Sequence, residues 1–272
     1  MSYNSRAFDY LRVGRSGHTT IHYAVSGPED GPTIVIVHGW AYSGKDYEPL
    51  TGFLPDGFRV IVVDLAEHGE SRSSRGEWTI PEFARDVVAV LDAERVERCV
   101  VAGHSLGGAC AVEVGRLRPG VVTHIVALDS LHYMFLYGPK SESQVRAVRN
   151  SLREDFGGTV RHMVEDGSLP GAARALIDAQ FKKLVAVRQP AGTLAIEGLL
   201  AWDMKEALAA LKQPITLFGV RQKVTQESID HLGGRVNIVL VDLGFTHQFP
   251  TEAPEQTAKL IEDIVTAEAE LT

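Results

Sequence analysis

The sequence predicts an α/β fold: a mostly parallel, doubly wound sheet with helices on both faces and a helical segment inserted between two of its later strands. Three observations point to it. Short β-branched runs are apolar throughout instead of alternating, as strands covered on both faces require. These runs take turns with amphipathic stretches of helical period, the signature of βαβ units. From about Leu131 to Lys212 the alternation gives way to helical patterns alone.

In chain order, Thr19 to Gly27 (TTIHYAVSG), Thr33 to Gly39 (TIVIVHG) and Arg59 to Leu65 (RVIVVDL) read as strands, the first two closed by glycine. A helix is expected from Pro81, with Thr79 as its cap, to about Val96, because Phe83, Val87, Val90 and Leu91 form one stripe. Strand Arg98–Ala102, helix Leu106–Leu117 and strand Val121–Asp129 continue the alternation as right-handed crossovers. Helical patterns then run near Ser143 to Phe156, Ala172 to Val187 and Thr193 to Met204, separated by Gly157-Gly158, Asp166-Gly167 and Gln189-Pro190. Alternation resumes with strand Ile215–Val220, a helix from about Thr225, strand Val236–Leu243 and a last helix from about Ala253 to Ala269. The expected organisation is a core made of residues 1–130 and 213–272 with a helical lid at 131–212.

Composition narrows the function classes. The 272 residues suit one core with an insertion, and 44% hydrophobic with 23% charged residues is the balance of a soluble globular protein. Lys and Arg number 27 against 35 Asp and Glu; the resulting net charge of −8 disfavours nucleic acid or an anionic membrane as partner. A small, neutral or apolar molecule fits better. Cys99 and Cys110, the only cysteines, supply neither a disulfide framework nor a thiolate metal cage. Residues Met1 to Tyr10 are polar, and no run approaches the roughly 18 apolar residues of a membrane span, so a cytoplasmic protein is expected. No internal repeat is visible, and Glu268 and Glu270 read as a solvated helix end.

The strongest chemical signal is Gly103-His104-Ser105-Leu106-Gly107-Gly108 between a predicted strand and a predicted helix. A serine there turns sharply and projects its Oγ above the sheet, and small flanking residues remove the Cβ clashes of such a turn. The following helix leaves free backbone N–H groups, so that of Leu106 can point at a developing oxyanion. His38-Gly39-Trp40 ends an earlier strand; Gly39 lets the chain approach Ser105, and the N–H of Trp40 is the second expected donor. His38 itself reads most simply as a strand-end residue.

These pieces, with DLAEHGES at 64–71 and GFTHQFPTEAPEQ at 244–256, resemble the α/β-hydrolase superfamily in order and spacing over essentially the whole chain outside the lid. One departure is Glu67, where the family commonly has glycine in D-x-x-G-x-G-x-S. The resemblance implies a G-x-S-x-G nucleophile elbow with Ser105 as nucleophile and His247 as base, and the chemistry agrees, because a serine hydroxyl attacks at neutral pH only when an imidazole takes its proton. In many members the acid follows the strand equivalent to Ile215–Val220, yet that position reads Gln222, which carries no charge. Glu227 falls inside the next helix and Asp242 in the strand leading to His247. Some members place the acid after the strand that follows the elbow helix, where this chain has Asp129. Asp129 is therefore the expected third member of the triad.

Directly after it runs Leu131-His132-Tyr133-Met134-Phe135-Leu136-Tyr137, which suggests an apolar pocket. His132, Tyr133, Tyr137 and Trp202, with His38 and His104, are the candidate substrate-binding side chains; packing of the lid on the core is the plainer role for the same run. The expected activity is that of a cofactor-independent serine esterase or lactonase, needing no metal. A second reading comes from the cofactor-free dioxygenases of this fold that open 3-hydroxy-4-quinolone-type rings through a His/Asp dyad, here His247 and Asp129, with Ser105 only binding. A third is a non-catalytic receptor that keeps the triad. The sequence leaves the substrate and the oligomeric state open.

Overall fold

The computed structural model describes residues 3–4, 6–16 and 18–271; residues 1, 2, 5, 17 and 272, which the expected core includes, lie outside the described residues. The strands are β1 (Asp9–Arg15), β2 (Thr19–Ser26), β3 (Thr33–Val37), β4 (Arg59–Val63), the two-residue β5 (Arg72–Ser73), β6 (Cys99–His104), β7 (Val122–Leu128), β8 (Ile215–Val220) and β9 (Asn237–Val241). The helices of the core are α1 (Glu48–Thr51), α2 (Ile80–Ala93) and α3 (Leu106–Leu117). Between β7 and β8 come α4 (Met134–Tyr137), α5 (Glu142–Glu154), α6 (Phe156–Asp166), α7 (Arg174–Val185), α8 (Ala191–Leu200) and α9 (Met204–Ala210). After β8 follow α10 (Gln226–Leu232), α11 (Phe249–Glu252) and α12 (Pro254–Glu270).

The strands form one sheet in the order β1-β2-β4-β3-β6-β7-β8-β9, with β5 paired to β2. From β4 to β9 every pairing is parallel; β2 joins β4, β1 and β5 antiparallel. Parallel strands need helical crossovers, and α2 and α3 pack on one another with α3 lying on β6 and β7, while α12 also packs on β6 and β7. Strands β3, β4 and β6 are buried along nearly their whole length, as continuous apolar runs anticipate. Arg59 in β4 is buried too, and its guanidinium is 2.7 Å from the Glu94 carboxylate. This partner offsets the desolvation that would otherwise expel the charge.

The path of the chain reverses at β3, with β4 laid on one side and β6 on the other. The loops that leave the carboxyl ends of β3 and β6 therefore diverge and open a crevice there, the place where open α/β sheets bind ligands. Packing at this junction is close enough to exclude side chains. A Cβ on Gly103 would lie 2.0 Å from the Gly107 carbonyl oxygen, and one on Gly107 would lie 2.4 Å from that of Val37. The N-terminus of α3 thus rests on the bare backbone of β3 and β6.

Some elements differ from the sequence-based expectation. β1 was not anticipated: its residues are largely exposed and polar, and what holds it is the antiparallel ladder to β2 at the sheet edge. Gly157 and Gly158, expected to separate helices, lie in the first turn of α6, where the Asp155 carboxylate accepts from the Gly158 N–H at 2.9 Å. The helix expected over Thr193–Met204 is instead α8, ending at Leu200, and α9, opened by Asp203 accepting from the Glu206 N–H at 2.9 Å. Glu67 takes the left-handed conformation (φ +59°) that suits the family's glycine, and its Oε1 accepts from the Ser73 N–H at 2.6 Å. That bond offsets the backbone strain and keeps the loop in shape. Among the described residues, no helix is long and apolar enough to cross a membrane.

Gly103→Ala is expected to destabilise the fold by about 3 kcal/mol or more, because its new methyl meets backbone that cannot yield. Urea denaturation checks this; an unchanged midpoint would contradict the packing described.

Candidate active site

Ser105 stands between β6 and α3 with φ +54° and ψ −122°, a conformation unusual for a residue with a Cβ. Three contacts hold it there. Its N–H donates to the Leu128 carbonyl at 3.2 Å, its carbonyl accepts from the Gly108 N–H at 2.8 Å, and the same carbonyl accepts from the Ser130 hydroxyl at 2.6 Å. The turn is thereby pinned to the end of β7. As the first residue of α3, Leu106 has no helical acceptor for its N–H. A Cβ on Gly39 would fall 3.3 Å from the Ser105 Cβ, so the loop after β3 passes directly over the serine.

Asp129 follows β7 with its carboxylate fully buried and its backbone in the left-handed region (φ +44°). Oδ1 accepts from the Val220 N–H at the end of β8 at 2.9 Å. Oδ2 lies 2.7 Å from His247 Nδ1 and also accepts the Tyr133 hydroxyl at 2.7 Å. Burial alone would push this carboxyl up; the hydrogen bond and charge of His247, the nearby His132 ring and the Val220 N–H outweigh it and bring Asp129 down to about 2. A carboxylate on Nδ1 fixes the tautomer that leaves Nε2 free to accept a proton. The two rival acids face solvent, Asp242 exposed and paired with Arg221 at 2.9 Å and Glu227 exposed in α10; the uncharged Gln222 is exposed in the turn after β8.

Ser105, Leu106, Trp40 and His247 all line one cavity. Its other walls are mostly apolar, including Phe135, Leu136, Met163, Val164, Leu184, Ile196 and Leu199 from the inserted helices, with Asp166, Gln180 and Gln248 as polar members. The insertion is tied to the core around it. Residues 167–169 and 245–247 run antiparallel, with His247 N–H donating to Gly167 O at 2.9 Å and Leu169 N–H to Phe245 O at 2.8 Å. The Trp40 indole N–H donates to Gly192 O at 2.8 Å, and Lys183 Nζ meets Asp46 Oδ1 at 2.5 Å.

Of the side chains expected to touch substrate, Tyr133 lines the cavity, although its hydroxyl is engaged by Asp129. The others lie elsewhere and correct the expectation. His38 is fully buried beneath the β3 loop, with Nδ1 donating to Gly39 O at 2.7 Å and Nε2 accepting from Leu65 N–H at 3.0 Å. His104 is sealed between Tyr47 and the loop carrying His247: its Nδ1 is 2.7 Å from the Tyr47 hydroxyl and its Nε2 2.9 Å from the His247 carbonyl. That carbonyl can only accept, so Nε2 carries the proton and Nδ1 takes the tyrosine's. Burial, and then the neighbouring His247, push His104 down to about 3, which keeps it a neutral bridge. His132 is buried behind Asp129, with Nδ1 3.2 Å from Ser130 O. Tyr137 and Trp202 border a different cleft, the former 3.1 Å from Ser130 Oγ and the latter donating to Glu113 at 2.7 Å. Sequence reasoning did not single out Met163, Leu184 or Gln248, because nothing in helical periodicity tells which apolar face covers a cavity and which covers a core. Among the described residues, no group of three or more His, Cys, Asp or Glu side chains is arranged to hold a metal ion.

Acid sensitivity follows from these environments. The folded state holds His104 near 3, and likewise His68, which is buried in the loop after β4 with Nδ1 3.0 Å from the Ala66 carbonyl oxygen, while the unfolded chain takes up protons near 6.5, so stability is expected to fall as pH drops below 6.5. Asp129 adds a second loss between its ordinary 3.8 and about 2, worth about 2 kcal/mol. Urea titrations of wild type and Asp129→Asn from pH 8 to 2.5 check this, the gap between them closing only below pH 4.

The comparisons with known proteins agree with this architecture. A pimeloyl-[acyl-carrier protein] methyl ester esterase of Nitrosospira multiformis is 29% identical over 204 residues, 69% of this chain and 75% of the relative. A non-heme chloroperoxidase of Streptomyces lividans is 36% identical over 121 residues, 44% of either protein, and the chain likewise spans under half the length of other relatives with strong local identity. The enol-lactonase from Burkholderia xenovorans superposes with a TM-score of 0.77 at 18% identity, over 94% of this chain and 100% of that one, which shows a shared fold. The model of the alpha/beta hydrolase family matches residues 34–260, and the chain belongs to that family of enzymes.

Proposed function

We propose that this chain is a serine hydrolase that cleaves a carboxylic ester or lactone of a small, largely apolar substrate through an acyl-enzyme at Ser105. The observation that carries the reading is the meeting of Ser105 and His247 on one cavity wall, with His247 Nδ1 held 2.7 Å from the buried Asp129 carboxylate. In this mechanism His247 Nε2 takes the Ser105 proton as Oγ attacks the carbonyl carbon. Asp129 keeps the ring oriented and stabilises its positive form. The N–H groups of Trp40 and Leu106 receive the charge on the carbonyl oxygen. His247 then gives its proton to the leaving alkoxide, and a water, deprotonated by the same imidazole, releases the acid and frees Ser105. Each step needs proton transfer and fixed dipoles alone, so no cofactor is invoked.

The cavity supports the substrate class. Its walls carry no Lys or Arg, and Asp166 is among them, so an anionic substrate would enter without a counter-charge. Residues 131–212 act as a lid whose helices set the acyl and alcohol pockets. Est816, an N-acyl homoserine lactone degrading enzyme, the enol-lactonase and the methyl ester esterase give the same chemical range by name, esters and lactones. A cytoplasmic setting suits the two buried, unpaired thiols of Cys99 and Cys110.

A fluorophosphonate probe is expected to label Ser105, read by peptide mass spectrometry, and Ser105→Ala to lose p-nitrophenyl ester hydrolysis by at least about a thousandfold. Full activity in that variant would end the reading. Oxygen consumption with a 3-hydroxy-4-quinolone that survives Ser105→Ala would replace it with the dyad-based dioxygenase.

A further inference from the structure

We infer that Tyr133 is a positioning residue of the catalytic machinery, fixing through a shared carboxylate oxygen the orientation and charge that Asp129 presents to His247. This rests on the reading of His247 as the base. The hydroxyl of Tyr133 and Nδ1 of His247 both reach Oδ2 of Asp129 at 2.7 Å, while Oδ1 is left to the Val220 N–H at 2.9 Å. The two rings stand edge to face, 86° apart with centroids at 5.0 Å. Tyr133 cannot drift away, because its carbonyl accepts from the N–H groups of Leu136 and Tyr137 and so opens α4.

Two donors on one oxygen divide its electron density. The tyrosine favours the ionised carboxylate, since it hydrogen-bonds the charged form, and it also makes Oδ2 a weaker acceptor for the imidazole. Burial and the Asp129 charge hold the phenol well above its usual 10, so the hydroxyl stays a donor at any working pH. It is therefore not free to donate to substrate, although the ring forms part of the cavity wall. Other groups face the pair: after β7, His132 with Nε2 3.4 Å from Oδ1; next to Ser105, the neutral His104 ring 4.8 Å from that of His247; from α4, the buried Tyr137, a neutral phenol; and from α6, Asp166, whose charge acts on Tyr133. Of these His132 alone can gain a proton beside Oδ1, and its burial opposes that. Tyr133 is the neutral donor that works on the oxygen the base uses.

Tyr133→Phe removes one oxygen atom and keeps the ring. With a short p-nitrophenyl ester, the acid limb of the kcat/KM profile is expected to move up by about one pH unit, a tenfold change at its foot, with KM within about twofold of wild type. A raised KM with an unmoved limb would mean that the hydroxyl serves substrate, and a kcat loss equal at every pH would mean a structural part only; either result overturns the inference. A second measurement does not depend on activity. Without the tyrosine, Asp129 takes a proton more readily, so the acid-unfolding midpoint of Tyr133→Phe is expected at higher pH than wild type, and the difference is expected to vanish in the Asp129→Asn background. If wild type turns over no ester and Ser105 takes no label, the hydrolase reading fails by itself; an unfolding midpoint that Tyr133→Phe leaves in place overturns the role of Tyr133.

Discussion

A fully buried negative charge at the end of β7 is the constraint around which this molecule is organised. Taking the Asp129 carboxylate out of water costs several kcal/mol unless donors replace the solvent. One replacement is local, the Tyr133 hydroxyl four residues on, and two come from distant parts of the chain, the Val220 N–H closing β8 and the His247 ring beyond β9. Because one small group needs all three, the ends of two strands, the start of α4 and the loop carrying His247 are held to a common point. The left-handed backbone at Asp129 is local strain kept in place by this set of bonds.

The Ser105 side of the cavity is built by a different means, close backbone packing. The chain reverses at β3, and the start of α3 lies against the ends of β3 and β6 with no room for a Cβ on Gly103 or Gly107. A buried chain of hydrogen bonds ties the two sides together. The Gly39 N–H points at the Tyr47 hydroxyl at 3.4 Å, Tyr47 meets His104, and His104 donates to the His247 carbonyl. Neutral, fully buried groups make this a rigid link from the β3 loop to the loop carrying His247. The insertion joins the same frame through the short antiparallel contact of residues 167–169 with 245–247. The cavity walls and His247 are therefore joined through backbone, and a change in the packing of α6 reaches His247 directly.

Much of this was legible in the residues. Continuous apolar runs marked the central strands, and Gly103-His104-Ser105-Leu106-Gly107-Gly108 marked the turn, since few other residues tolerate that backbone and that packing. The uncharged Gln222 pointed to Asp129 by default, and the two rival acids, Glu227 and Asp242, are solvated. Less was legible between β7 and β8. Gly157-Gly158 read as a break, yet a first helical turn capped by Asp155 accepts glycine at little cost. The histidines read as site residues by their neighbours in sequence, but His38 and His104 point into packed interior, where their ring nitrogens satisfy backbone and tyrosine groups.

Strand alternation, the elbow and the identity of nucleophile, base and acid candidates depend on local chemistry: side-chain period, turn geometry and charge at single positions. The sequence alone determined the strand alternation and brought forward Ser105, His247 and Asp129 as the candidates. Which polar groups share one carboxylate, which rings face the cavity and which are sealed behind it depend on contacts spanning more than a hundred residues, 118 between Asp129 and His247 and 143 between His104 and His247. Periodicity carries no information at that range, so the meeting of Tyr133 and His247 on Oδ2, and the walls that the helices between β7 and β8 give the cavity, were decided only when the chain folded.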